Sequence, residues 1–318
     1  APLSEEDFSM RLDASARGVF VIAVTPFHDG GRLDLDGIDR LTDFYLERGV
    51  TGLTVLGMMG EAPKLTAAES AAVTERFLER VAGRVPVVVG VSAPGFAAMG
   101  ELSARVMDMG AAGVMIAPVS TLRSDDQIVG WYAGAASTIG TATPFVLQDY
   151  PLSTGVQITP AVIRRIVEAN PNCVMLKHED WPGLSKISAL RGYEAEGTMR
   201  PISILTGNGG LFLDLEMGRG ADGAMTGFAF PEMMVEVTSA HARGDTRRAL
   251  DVFDAYLPLA RYEQQPGLGL AVRKYLLAKR GALGSAALRA PGVKLSPADV
   301  AEIDLLLARQ TERLNVIG

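Results

Sequence analysis

Short apolar runs, rich in β-branched residues and bounded by Gly or Pro, recur eight times along the chain. They are Val19–Thr25, Gly52–Gly57, Val85–Val91, Gly113–Pro118, Pro144–Tyr150, Cys173–Lys177, Ile202–Thr206 and Gly223–Thr226. Between them lie segments of helical periodicity, such as Leu35–Arg48, Thr66–Val81 and Pro160–Ala169. The repeat of about 30 residues is the size of a βαβ unit. Runs apolar on both faces suit a parallel sheet covered by helices, because each face must be buried. Eight strands in strict alternation with helices predict an α/β fold, a TIM (β/α)8 barrel rather than an open doubly wound sheet. Beyond the eighth run only helical candidates remain: Met233–Ala242, Thr246–Tyr262, Leu268–Arg280 and Pro297–Leu314. Ser296 before Pro297 reads as an N-cap followed by a first-turn proline. The expected organisation is a barrel over residues 1–231 with C-terminal helices over 232–318 packed on it as one unit. Ala286–Gly292 reads as a surface loop.

Composition narrows the function classes. The 318 residues are 48% hydrophobic and 21% charged, enough for a full core without disulfides or metal staples. Lys and Arg total 30 against 37 Asp and Glu, a net charge of −7 with no long run of either sign. That argues against an electrostatic grip on nucleic acid or an anionic membrane, while a small anionic substrate needs only one local positive site. One cysteine, Cys173, excludes a disulfide framework and a multi-cysteine cluster, and the three histidines (His28, His178, His241) stand far apart, so no metal site is expected. The start, Ala1-Pro-Leu-Ser-Glu-Glu-Asp7, shows no targeting pattern and no run approaches a membrane span, so a cytoplasmic protein is expected.

In such a barrel the reactive groups come from the C-terminal ends of the strands and the loops after them. Lys177 closes the run Cys173-Val-Met-Leu-Lys177, and alternation predicts Cys173, Met175 and Lys177 on one face. A lysine aimed into an apolar barrel mouth is costly when charged; desolvation favours the neutral amine, the form that attacks a ketone to make an imine. The bland alternative is a lysine capping its strand. After the second strand, Gly57-Met58-Met59-Gly60-Glu61 could turn backbone N–H groups toward a carboxylate, or simply make a tight turn. Leu65-Thr66-Ala-Ala-Glu69 behind it has the pattern of a capping box. Thr206-Gly207-Asn208-Gly209-Gly210 after the seventh strand likewise could cradle a phosphate or only turn the chain.

Several of these features occur together in one family. The chain resembles the dihydrodipicolinate synthase / N-acetylneuraminate lyase family of class I (Schiff-base) aldolases and dehydratases. The resemblance is carried by Ala23-Val-Thr25-Pro26-Phe27, Gly49-Val-Thr-Gly52-Leu, Gly57-x-x-Gly60-Glu61, Leu65-Thr66-x-x-Glu69, Lys177, and Gly220-Ala-Asp-Gly223-Ala with Thr226-Gly227. It implies that Lys177 forms an imine with a 2-oxo acid, with no cofactor besides that imine, and that Gly57, Met58, Met59 and Gly60 hold the substrate carboxylate. It also implies a homotetramer or homodimer. Departures from the better-known members are equally informative. Met58 and Met59 stand where those members carry hydroxyl residues, Gln148 replaces the proton-shuttling tyrosine of strand five, Ser120 replaces a tyrosine after strand four, and Ser153 replaces a substrate-holding arginine. The hydroxyl relay of a dihydrodipicolinate synthase is missing, and the sequence reads against that activity. Val146-Leu-Gln148-Asp149-x-Pro151 with Lys177-x-Glu179 and Gly223-Ala-Met-Thr226-Gly227 is more similar to the 2-keto-3-deoxy-L-arabonate dehydratase branch.

The expected activity is therefore a Schiff-base lyase acting on a 2-oxo acid such as pyruvate or a 2-keto-3-deoxy sugar acid, with dehydration of the sugar acid favoured. Alternatives are a pyruvate-dependent aldolase, a silent 2-oxo-acid-binding barrel and, on the Gly207–Gly210 loop alone, a sugar-phosphate enzyme. Glu179, two residues beyond Lys177, is the candidate acid or base near C3 and C4. Gln148 could orient water, and Tyr150 could supply a phenol or merely pack at the rim. Ser120, Asn208, Thr226 and Gly227 are candidates for substrate contacts. Asp149 and His178 alternate to the opposite face and read as structural.

Overall fold

The computed structural model describes residues 10–181 and 183–318; the stretch Ala1–Asp7, read above for targeting signals, lies outside the described residues. The strands are β1 (Gly18–Ile22), β2 (Gly52–Val55), β3 (Val87–Gly90), β4 (Gly113–Ile116), β5 (Phe145–Asp149), β6 (Cys173–His178), β7 (Ser203–Thr206) and β8 (Gly223–Ala224). They pair in sequence order, all parallel, and β8 returns to β1, closing the barrel. Closure brings the backbones very near: a Cβ on Gly223 would stand 1.8 Å from the carbonyl oxygen of Gly18, so only glycine fits at that seam.

Helices alternate with the strands: α1 (Leu35–Glu47), α2 (Ala67–Val81), α3 (Phe96–Asp108), α4 (Asp125–Ile139), the short α5 (Pro151–Thr154), α6 (Pro160–Ala169), α7 (Leu184–Ala195), α8 (Leu213–Gly218) and α9 (Pro231–Ala242). Helix α9 follows β8 and packs against β1 and β8, so it completes the outer ring. Then come α10 (Thr246–Glu263), α11 (Gly269–Lys279) and α12 (Pro297–Ile317). The starts obey local chemistry. Thr66 and Glu69 form the expected capping box on α2, and Ser296 caps α12 ahead of Pro297. Among the described residues no helix is long and apolar enough to cross a membrane.

Strand alternation splits the apolar residues into two cores. One fills the barrel, with Phe20, Ile22, Val88, Met115, Val146, Met175, Leu205 and Met225. The larger one lies between sheet and helices. Cys173 belongs to the outer core, which corrects the expectation that it shares a face with Lys177. The pairing of β5 with β6 runs Phe145 to Cys173 and then Val146 to Met175, skipping Val174. This bulge adds one residue to β6 and flips Cys173 outward, while Met175 and Lys177 keep the inner face. Burial pushes the Cys173 thiol up to about 12, which leaves it inert at neutral pH.

Candidate active site

The mouth of the barrel opens into a cavity of about 700 Å³. Lys177, in register with Gln148 on the neighbouring strand, rises into it from β6 above Met175. Its Nζ lies 2.8 Å from Glu179 Oε1, and Gln148 Nε2 donates to the same oxygen at 3.0 Å. All three are buried. The β6 alternation predicted that Lys177 and Glu179 share a face; their contact with Gln148 needed the β5–β6 register. One carboxylate thus balances the buried ammonium and is one hydrogen bond from its proton. Tyr150 lines the same cavity, half-buried, and its phenol is pushed above its ordinary value first by burial and then by the charge of Glu179.

Asp149 and His178 point the other way, as alternation requires. Asp149 Oδ2 accepts from Lys186 Nζ at 2.5 Å, and His178 Nε2 pairs with the Gly183 carbonyl at 2.9 Å. They brace strands to α7 and do not line the cavity.

After β2 the chain makes a single 3₁₀ turn over Met58–Gly60. Its first hydrogen bond runs from Gly60 N to Gly57 O, so the amides of Met58 and Met59 precede it and need partners from elsewhere. Met58 and Met59 line the cavity, whereas Gly57 and Gly60 bracket the turn behind them. The turn is anchored from below. Thr25 Oγ1 donates to the Gly60 carbonyl at 2.6 Å. The buried Glu61, left-handed at φ 56°, takes Lys274 Nζ at 2.6 Å, Lys64 Nζ at 2.8 Å and the Arg289 amide at 3.0 Å. Lys274 Nζ also donates to the carbonyls of Thr25 and Ala287. The segment read as a surface loop, Ala286–Gly292, is irregular but fastened to this cluster, and Arg289 further clamps Glu69.

The loop after β7 behaves as a turn. Its three glycine N–H groups already have partners: Gly207 N on the His178 carbonyl, Gly209 N on Thr226 Oγ1 and Gly210 N on the Gly207 carbonyl. That leaves the three glycine amides unavailable to a phosphate. Asn208, Thr226 and Gly227 line the cavity. Ser120 does not; its carbonyl accepts from Arg123 at 2.6 Å.

Sequence reasoning passed over a second buried ion pair in the wall. Arg273 on α11 donates through Nε to Glu263 at the end of α10 at 2.5 Å, both 2% exposed. Gly227 lies against it: a Cβ there would fall 2.2 Å from Arg273 Nη1. The available signal was charge inside an apolar helix, Gly269-Leu-Ala-Val-Arg-Lys-Tyr-Leu-Leu277, which a surface helix would not place there.

Comparison with known proteins agrees with this geometry. The model of the dihydrodipicolinate synthetase family matches residues 15–309. An L-2-keto-3-deoxyarabonate dehydratase of Azospirillum brasilense is 33% identical over 306 residues, covering 94% of this chain and 95% of that protein. A 4-hydroxy-tetrahydrodipicolinate synthase of Methanococcus maripaludis is 30% identical over 248 residues, covering 77% of this chain and 82% of that protein. Among solved structures, a dihydrodipicolinate synthase from Rhodopseudomonas palustris superposes with a TM-score of 0.93 at 57% identity, covering 94% of this chain and 99% of that one. The barrel, its extension and the match over nearly the whole length agree: the chain belongs to the dihydrodipicolinate synthetase family.

Proposed function

We propose that the protein is a Schiff-base lyase that removes water from a 2-keto-3-deoxy sugar acid, using no cofactor besides the imine on Lys177. The observation that carries this reading is the buried Lys177–Glu179–Gln148 cluster, in which an amine and a carboxylate share a proton path of 2.8 Å where the sequence has no tyrosine. Glu179 takes the ammonium proton, and the free amine attacks C2 of the 2-oxo acid. Loss of water gives a protonated imine that draws electrons from C3. The substrate carboxylate rests on the open amides of Met58 and Met59. Glu179, on the same face, removes a C3 proton and returns one to the C4 hydroxyl, which leaves as water. With a C5 hydroxyl present, a proton leaves C5, C3 is reprotonated, and the resulting enol becomes an aldehyde; hydrolysis frees a 2-oxo acid semialdehyde and Lys177. Gln148 holds Glu179 in place and orients the carbinolamine or water.

The relative of R. palustris, a dihydrodipicolinate synthase by name, favours a second reading, that synthase activity. Gln148, Ser153, Met58 and Met59 stand against it, since they supply neither the phenol, the guanidinium nor the hydroxyls of that relay. Retro-aldol cleavage between C3 and C4 uses the same imine and is separated by product. A homotetramer or homodimer in the cytoplasm completes the proposal and rests on the family alone.

Borohydride added with pyruvate should fix one covalent adduct per chain, detected by intact mass, and Lys177→Ala should abolish it. A panel of 2-keto-3-deoxy acids, read as semialdehyde or as pyruvate plus aldehyde, then identifies the reaction. Full turnover by the Lys177→Ala protein would refute the imine; adduct formation without turnover of any acid in the panel would leave a silent binding barrel.

A further inference from the structure

The mechanism above uses the cavity around Lys177, Glu179 and the Met58–Met59 amides but leaves the wall made by the C-terminal helices unassigned. That wall carries a buried donor and a buried acceptor without partners. Arg273 spends Nε on Glu263, and its Nη1 has no hydrogen-bond partner. Gln264, the next residue after Glu263, has an unpartnered buried Oε1. Both residues line the cavity. They meet one short stretch of backbone. Gln264 lies against Gly209, where a Cβ would stand 2.1 Å from Oε1, and Gly209 N donates to Thr226, the neighbour of Gly227 on which Arg273 rests. Side chains at 209 and 227 would fill the space these two groups occupy.

A buried donor without a partner is costly, and one on a residue that lines a cavity can be satisfied by a bound ligand. The charge of Arg273 is already matched by Glu263, so the wall offers hydrogen bonds but no net positive charge. A second carboxylate there would be buried against Glu263 without a counter-ion. A hydroxyl has the chemistry both orphans lack, since it can take a hydrogen bond from the guanidinium and give its proton to the amide oxygen. We infer that Arg273, held by Glu263, together with Gln264 recognises the neutral terminal hydroxyl of the substrate tail and selects hydroxylated over carboxylate-ended 2-oxo acids. The inference rests on the Schiff-base reading and adds the specificity of that same site.

The test compares three 2-oxo acids on the full-length protein: a 2-oxo-3-deoxypentonate, 4-hydroxy-2-oxopentanoate, which lacks the C5 hydroxyl, and 4-hydroxy-2-oxoglutarate, which ends in a carboxylate. The readout is the concentration of each that half-saturates borohydride trapping, which does not depend on turnover. Removing the C5 hydroxyl should raise that concentration roughly 10- to 100-fold in the natural protein, the range of one hydrogen bond to a charged group. The carboxylate-ended acid should bind no better than the deoxy acid. In Arg273→Met/Glu263→Gln, which removes both charges together, the preference should disappear. Gly227→Ala, whose new methyl displaces the guanidinium while leaving its charge, should erase it as well. A penalty below about threefold in the natural protein, or tightest binding of the carboxylate-ended acid, overturns the inference whether or not the variants fold. So does an undiminished preference in either variant. Absence of trapping by any acid, pyruvate included, overturns the Schiff-base reading beneath it.

Discussion

At the scale of single residues, the decisive feature is that one carboxylate serves two neighbours. Glu179 balances Lys177 at 2.8 Å and accepts from Gln148 at 3.0 Å, so under the proposed mechanism removing its charge should affect both the lysine and the proton transfers at C3 and C4. Glu179→Gln keeps the shape and leaves the buried ammonium without its counter-charge. We expect kcat on the sugar acid to fall by about 10²–10⁴-fold, the usual loss of a positioned acid–base group. The borohydride-trapping rate should fall less, since imine formation can draw its proton acceptor from water. Pre-steady-state trapping and steady-state turnover on one preparation check this; an equal loss in both would confine Glu179 to priming the lysine. Much of this pair was readable beforehand, because residues two apart in a strand share a face. Cys173 was misplaced by the same rule, since the bulge at Val174 breaks the period and nothing local announces it.

At the scale of elements, the turn after β2 is held by chain more than 200 residues away. Glu61 bonds Lys274 of α11, whose Nζ is fully buried, and the backbone of Arg289 beyond that helix. Burial alone drives Lys274 toward the neutral form, and Glu61 opposes it. Glu61→Gln therefore strands a cation, for which a loss of about 3–5 kcal/mol is expected in urea denaturation. Because the Met58–Met59 amides ride on this turn, KM for 2-oxo acids should rise as well. A stability change under about 1 kcal/mol would show that the cluster is ornamental. The sequence placed the Gly57–Gly60 turn and the Thr66 cap, both written in local residue types. It did not show that Ala286–Gly292 is their anchor, because an irregular segment gives no periodic signal of what it touches.

For the whole molecule, one buried acid outside the proposed chemistry couples folding to pH. Burial raises the carboxyl of Glu216, on α8, to about 8, with Asp214 adding to the effect. In the unfolded chain the same group ionises near its reference value of 4.5. The folded state thus binds the extra proton, and its contribution is fully present below 4.5 and lost as pH rises toward 8. Relative to Glu216→Gln, the natural protein should lose stability across that window, by several kcal/mol at most, and then level off. Denaturation curves of both proteins at pH 5 and pH 8 measure the difference; a gap independent of pH would contradict the buried, protonated state.

The chain's own order of residues determined the alternation of strands and helices, their caps, the inward face of Lys177 with Glu179, and the family. These follow from periods of 2 and 3.6 and from turn chemistry, which act over neighbours. Folding in three dimensions decided the rest: Gln148 beside Glu179, Glu61 on Lys274, and Arg273 with Glu263 in the cavity wall. Each of those contacts joins groups from different elements. Only closure of the barrel and docking of the last helices remove the water that would otherwise keep such charges apart.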